Sequence, residues 1–152
     1  MQRLDSKFTD ADFLQVIIAR HYEREHGASV VSIGLAPKWD IRFNDGFTLE
    51  IKCDALAAQT GNAAIEFWNS RKNKGSGILE TEAQYWLHCI PEGDALKCFL
   101  LETKRLLKLC IECGMVRTGG DYNASMMKLI PVAEIQKISD SEFLLEGLLW
   151  KQ

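Results

Sequence analysis

Asn44-Asp45-Gly46 sits between two short runs in which polar and apolar side chains alternate, and this arrangement constrains the chain more than any other feature in it. An Asn/Asp-Gly pair accepts the left-handed backbone of a tight turn at little cost. Alternating runs on both sides of such a turn predict a β-hairpin, here residues 39–43 and 48–53. Strand side chains repeat every second residue, so Leu49, Ile51 and Cys53 share one face and Thr48, Glu50 and Lys52 share the other. The apolar face commits to a core. The opposite face then carries a carboxylate and an ammonium two residues apart. Pairing across the turn brings Asp40 alongside the Glu50 end of the partner strand.

The segments around the hairpin complete a mixed pattern. In residues 9–26, Phe13, Leu14, Ile17, Ile18 and Tyr22 recur at helical spacing, with Thr9 as a start signal and Gly27 as a stop. Residues 29–34 are β-branched and short, residues 55–62 read as loop, and residues 63–68 read as a fourth strand. Residues 69–77, NSRKNKGSG, read as an exposed, mobile basic loop. Residues 81–90 read as a short turn leading into an apolar stretch, 96–101 as a strand, and 103–113 as an amphipathic helix stopped by Gly114. Gly119-Gly120-Asp121 reads as loop and 131–138 as a short helix opened by proline. The tail, 143–150, is apolar and expected to dock on the body. This order predicts an α/β fold, a central mixed β-sheet flanked by helices, in one domain spanning residues 1–152.

Composition narrows the class. The chain is 47% apolar and 26% charged, a globular balance. Its apolar runs fall far short of the ~20 residues that span a bilayer, so no membrane partner is expected. The first residues, MQRLDSKFTD, lack the apolar centre of a secretory signal. Five cysteines, an odd number, then read as reduced thiols of a cytoplasmic protein. The net charge of −3 argues against coating of nucleic acid through bulk positive charge. Residues 61–130, however, carry nine basic and eight acidic groups while both ends are acidic, which leaves room for a local basic face.

Asp40, Glu50 and Lys52 are the set that carries chemistry. Two carboxylates hold a hard divalent cation such as Mg²⁺ or Mn²⁺ through oxygen. Such a cation polarises a phosphoryl oxygen and assists the ionisation of water. A neighbouring lysine can orient or deprotonate that water, or stabilise charge developing on phosphate. The competing explanation is a salt bridge on a solvated strand face, which a bare E-x-K usually is.

Pro37-Lys38-Trp39-Asp40, followed after nine residues by Glu50-Ile51-Lys52, resembles the motif of the PD-(D/E)XK nuclease superfamily. That superfamily includes restriction endonucleases, Holliday junction resolvases and phage exonucleases. Its motif sits on an α-β-β-β-α-β core. Here the proline is displaced, since Trp39 precedes Asp40 and Pro37 lies three back. The resemblance implies that Asp40 and Glu50 are metal ligands and Lys52 the catalytic lysine, with DNA as substrate. Ala64-Ile65-Glu66-Phe67, Lys74-Gly75-Ser76-Gly77-Ile78, and Thr81, Ala83, Tyr85 and Trp86 resemble a small resolvase-like, phage-type branch. Gly119-Gly120-Asp121 and Leu129-Ile130-Pro131 fit the same branch, so the resemblance covers roughly residues 10–135.

Further candidates surround this set. Asp12 on the first helix is a possible extra metal-binding acid, or Gln15 in its place, against a plain role beside the helix N-terminus. Glu66 is the other possible supporting acid. Arg71, Lys72 and Lys74 are candidate phosphate clamps, with Ser76, Thr81 and Tyr85 as hydroxyl donors to the backbone. Cys110 and Cys113 form a CxxC without a second close pair. Buried thiols are therefore expected there rather than zinc or an iron–sulfur cluster. His21, His26 and His88 show no ligand spacing. The expected activity is metal-dependent hydrolysis of DNA, by a homodimer if both strands are cut with twofold symmetry. The alternatives are a catalytically weak nucleic-acid-binding module, or an interaction protein whose triad is only a surface salt bridge.

Overall fold

The computed structural model describes residues 10–35 and 37–146. The Thr9 end of the first predicted helix and residues 147–150 of the apolar tail lie outside them. Helix α1 (Asp10–His26) buries Leu14, Ile18, Ala19 and Tyr22 along one face. With about 3.6 residues per turn, that spacing stacks the four side chains on one side. Phe13, expected in the same stripe, falls outside it and is 55% exposed.

β1 (Val30–Ile33), β2 (Ile41–Phe43) and β3 (Thr48–Cys53) form the antiparallel meander. The predicted turn joins β2 to β3. The Gly46 N–H donates to the Phe43 carbonyl at 3.0 Å and the Phe43 N–H to the Phe47 carbonyl at 2.9 Å. Gly46 takes a φ of +88°, where a Cβ would be strained.

The chain then leaves this sheet. A one-turn helix, α2 (Ala57–Thr60), occupies part of the segment read as loop. β4 (Asn62–Asn69), β5 (Lys74–Gly75) and a 3-10 turn (Gly77–Leu79) follow. The next strand, β6 (Tyr85–Glu92), returns to the first sheet parallel to β3. β7 (Ala95–Glu102) runs back against β6. The rest is α3 (Thr103–Glu112), β8 (Met115–Gly119), β9 (Ser125–Pro131), α4 (Val132–Ile138) and β10 (Ser141–Leu145).

Two sheets result, ordered β1-β2-β3-β6-β7-β10 and β5-β4-β9-β8. The first is mixed and the second antiparallel. The fold is thus α/β with flanking helices, as expected. The strand expected as the fourth of the central sheet instead opens the second one. The α-β-β-β-α-β order is present in α1 through β6, with β4, β5 and the 3-10 turn inserted after α2. The hairpin of β8 and β9 was not expected. Its first strand is almost wholly exposed, so it lacks the alternation that marks a half-buried strand.

The six-stranded sheet has a core on each face. On one, α1 packs over Leu49, Leu87, Cys89, Leu96 and Cys98. On the other, Trp86, Phe99 and Leu101 pack with Ile65 and Ile130 of the second sheet, Leu106 of α3 and Ile135 of α4. Burial on both faces explains why the stretch that follows the turn, 85–90, is apolar apart from His88. Fully burying one such side chain is worth ~1.5–3 kcal/mol, against ~1 kcal/mol for a turn hydrogen bond. The two cores therefore fix where β3 and β6 lie. No described helix is long and apolar enough to cross a membrane.

Gly77 starts the 3-10 turn with a φ of +53°, and a Cβ there would stand 2.2 Å from the Glu66 carbonyl oxygen. Gly46 has an equally left-handed backbone but open space around it. Gly46→Ala should cost about 1 kcal/mol, from the backbone alone. Gly77→Ala should cost at least about 2 kcal/mol, because the backbone of β4 must also move. Chemical denaturation of both variants measures the difference; equal losses would show that the 3-10 turn tolerates displacement from β4.

Candidate active site at the open end of the central hairpin

Asp40 ends the β2 side of the hairpin. Ile41 pairs with Leu49, and the Asp40 N–H donates to the Leu49 carbonyl at 2.9 Å. One step further along β3, the Ile51 N–H meets a side chain: it donates to Asp40 Oδ2 at 2.7 Å. The carboxylate thus continues the ladder in place of a backbone carbonyl. Its other oxygen, Oδ1, accepts from Gln15 Nε2 on α1 at 3.2 Å. The Gly34 N–H ties down the Asp40 carbonyl at 2.7 Å. Sheet, helix and the chain end of β1 all hold this one residue.

Glu50 and Lys52 project from β3 on the face away from α1, beside Trp86 and His88 of β6. Lys52 Nζ lies 3.4 Å from Glu50 Oε1 and 5.8 Å from the centroid of the Trp86 ring. The Lys52 side chain is 42% exposed while that of Glu50 is only 15% exposed. Burial, reinforced by the charge of Asp40, pushes the Glu50 carboxyl up to about 7, despite Lys52 and the Thr81 hydroxyl favouring its ionised form. Burial also raises Asp40, against the Ile51 N–H and the Lys52 charge. A surface salt bridge would leave both partners wet and would need no second carboxylate. Here two carboxylates from adjacent strands bear on each other in a partly desolvated position.

A second polar network, missed in the sequence, braces the same strand end. Asp54 follows β3 directly. Its Oδ1 accepts from the Ala57 N–H at 3.2 Å, and its Oδ2 from the Ala64 N–H at 2.8 Å and from His88 Nε2 at 2.9 Å. Trp86 Nε1 donates to His88 Nδ1 at 3.2 Å. An indole nitrogen can only donate, so His88 Nδ1 carries no proton and Nε2–H donates to Asp54. Burial raises the Asp54 carboxyl, but the His88, Ala64 and Ala57 hydrogen bonds outweigh it and hold the group below its ordinary value. The chain of contacts runs from α2 and β4 through Asp54 and His88 to the indole beneath Lys52. The available signal was a histidine inside an apolar run and an aspartate two residues beyond Lys52.

The other candidates separate. Asp12 is exposed on the first turn of α1, and it is Gln15 that reaches Asp40. Thr81 lies at the site: its hydroxyl donates to the Lys38 carbonyl at 3.1 Å and borders Glu50. Tyr85 stacks on Phe47, 4.7 Å between centroids, in the core on the α1 side of the sheet. Glu66 lies in the second sheet, out of phase with Ile65 and Phe67, which enter the core. The segment read as a loop is a β4–β5 hairpin turn, in which Arg71, Lys72 and Lys74 are exposed. Lys74 pairs with Glu80 at 3.4 Å. Ser76 is turned inward, 6% exposed, its hydroxyl without a hydrogen-bond partner. Cys110 is buried and Cys113 half-buried. Among the described residues no cluster of three or more His, Cys, Asp or Glu forms a ready-made metal cage.

The raised Glu50 carboxyl predicts a pH dependence of stability without metal. Unfolded, it ionises near the ordinary glutamate value of 4.5; folded, near 7. Between these the folded state holds the extra proton, so stability present at low pH is lost as pH rises through about 7. Glu50→Gln should therefore raise the melting temperature by about 4 °C or more at pH 8 and change little at pH 4. Melting in a chelator across that range checks it; a Glu50→Gln effect independent of pH would mean the carboxyl ionises normally in the fold.

Comparison with known proteins adds no relative: no family model, no curated protein and no solved structure matches this chain.

Proposed function

We propose that the chain is a divalent-metal-dependent nuclease of PD-(D/E)XK type that hydrolyses DNA phosphodiester bonds. The observation that carries this reading is the pairing of Asp40 and Glu50 on adjacent strands, with Lys52 3.4 Å from Glu50. A buried carboxyl whose proton affinity a neighbouring carboxylate raises is a poor structural device, but the pair is a good receptor for a compact cation. The donor set suits Mg²⁺ or Mn²⁺: both ligands are hard oxygens, and such ions keep several waters and bind substrate phosphate alongside one or two carboxylates. That habit needs no third protein acid. When bound, the cation would supply Lewis-acid polarisation of the phosphoryl group and a more acidic water.

The chain's own groups do the rest. Asp40 is held rigid by the Ile51 N–H and Gln15, so it presents a fixed oxygen rather than a mobile one. Glu50, raised to about 7 by burial and Asp40, becomes an anion above that pH and would then offer its oxygens to the cation. Lys52, on the indole of Trp86, offers N–H donors to the attacking water or to charge developing on phosphate. Arg71 and Lys72 are exposed for backbone phosphates. A homodimer would suit cleavage of both strands, and a cytoplasmic location suits five unpaired cysteines.

Linear, circular and branched DNAs incubated with and without Mg²⁺ or Mn²⁺ test the activity. Lys52→Ala should lower cleavage about a hundredfold or more with Mn²⁺ affinity nearly unchanged, since an ammonium offers no lone pair to a cation. Glu50→Ala should remove both. Calorimetry beside a labelled-duplex assay reads the two quantities; full cleavage by both folded variants would sink the nuclease reading.

A further inference from the structure

The second sheet carries an exposed tip that the metal site does not use. The β4–β5 turn and the β8–β9 turn lie at the same end, because Ser125 pairs with both Asn69 and Gly119. The Ser70 N–H donates to the Ala124 carbonyl at 2.7 Å, joining the two turns. On one turn, the N–H groups of Arg71 and Lys72 both donate to Asn69 Oδ1 at 3.1 Å. Asn69, not the basic side chains, therefore closes that turn. On the other, Tyr122 is 89% exposed, and its ring centroid lies 5.1 Å from the Arg71 guanidinium carbon.

Tyr122 is the wrong residue for a turn built only for stability. Its φ is +56° and that of Asn123 is +53°. Asparagine tolerates this left-handed backbone, but a bulky aromatic residue pays for it, and glycine would not. An aromatic ring is also held out in water. Strained backbone and exposed aromatic surface together point to a ring that meets a planar partner. Arg71 beside the ring adds positive charge, and Lys72 adds more next to it.

We propose that this tip is a clamp for an unpaired nucleotide, with Tyr122 stacking on a base while Arg71 and Lys72 hold the flanking phosphates. Its choice of nucleic acid as partner rests on the nuclease reading. It goes further by naming the substrate class: DNA with a single-stranded segment, such as a flap, a frayed end or a branch. Bases inside a duplex show their faces only to each other, so a projecting tyrosine can stack on one only where the strand is open. Stacking is tolerant of base identity, which suits a small protein that reads DNA structure rather than sequence.

The experiment is anisotropy of a labelled single-stranded oligothymidylate and of a blunt duplex, with the full chain in a chelator so that no cleavage occurs. Tyr122→Ala should weaken single-strand binding about tenfold and leave duplex binding unchanged, and Tyr122→Phe should keep wild-type affinity. Arg71→Ala should weaken both and reduce the salt slope by about one unit. Thermal melting of each variant controls for folding. Unchanged single-strand binding in Tyr122→Ala, an equal loss on both DNAs, or no single-strand binding by the wild type would overturn the clamp. So would loss of self-association in Tyr122→Ala with DNA binding intact, which would make the tip a protein contact. Metal-dependent cleavage that needs Glu50 would survive any of these results, so failure of the clamp and failure of the nuclease reading are separable.

Discussion

The hydrogen bond from the Ile51 N–H to Asp40 Oδ2 is the contact on which the site depends. A β-ladder normally satisfies each buried N–H with a carbonyl, and leaving one unmade costs ~1–3 kcal/mol. Here the partner strand has turned away at Asp40, and its side chain completes the ladder instead. That substitution puts an anion next to Glu50, in register, without a flexible linker. The two cores place β3 between β2 and β6, and α1 adds Gln15 from one side. Fold stability and site geometry therefore share the same residues.

Glu50 shows the tension this creates. A carboxyl that is 15% exposed and faces another carboxyl is unfavourable as an anion, and Lys52 only partly offsets it. Replacing such a group by a neutral isostere commonly stabilises a protein. The Asp54–His88–Trp86 network is the opposite case. Each polar atom in it has a partner, and Asp54 sits below its ordinary pKa. One network is satisfied and braces the strand. In the other, burial and the Asp40 charge outweigh Lys52 and Thr81, and the Glu50 carboxyl stays raised.

Much of this was legible in the sequence, for reasons particular to each element. The Asn44-Asp45-Gly46 turn fixed the hairpin register, and the two-residue strand period then placed Glu50 and Lys52 on one face. The three- and four-residue spacing in α1 gave its buried face, although Phe13 misled. The second sheet was hidden because its strands split their signals: β8 is exposed, and β4 reads the same whichever sheet it joins. The face that Tyr85 takes was hidden because an aromatic at a strand start reveals its face only when its partner, Leu49, is known. Ser76 looked like an exposed turn hydroxyl and is buried, just before the 3-10 turn. The Asp54–His88 bond joins residues 34 apart through a parallel pairing, and no local pattern encodes that.

The proposed chemistry requires Asp40 and Glu50 together to receive one divalent cation. Calorimetric titration of the full chain with Mn²⁺ at pH 6.5, in two buffers of different ionisation heat, tests it most directly. Below the Glu50 pKa of about 7 the ion must displace a proton. One site per chain, release of roughly half a proton or more per ion, and affinity that falls as pH is lowered are the expected results. Asp40→Asn should abolish the site, because it removes one of the two carboxylates. Binding that releases no proton, or that persists unchanged in Asp40→Asn, would contradict it.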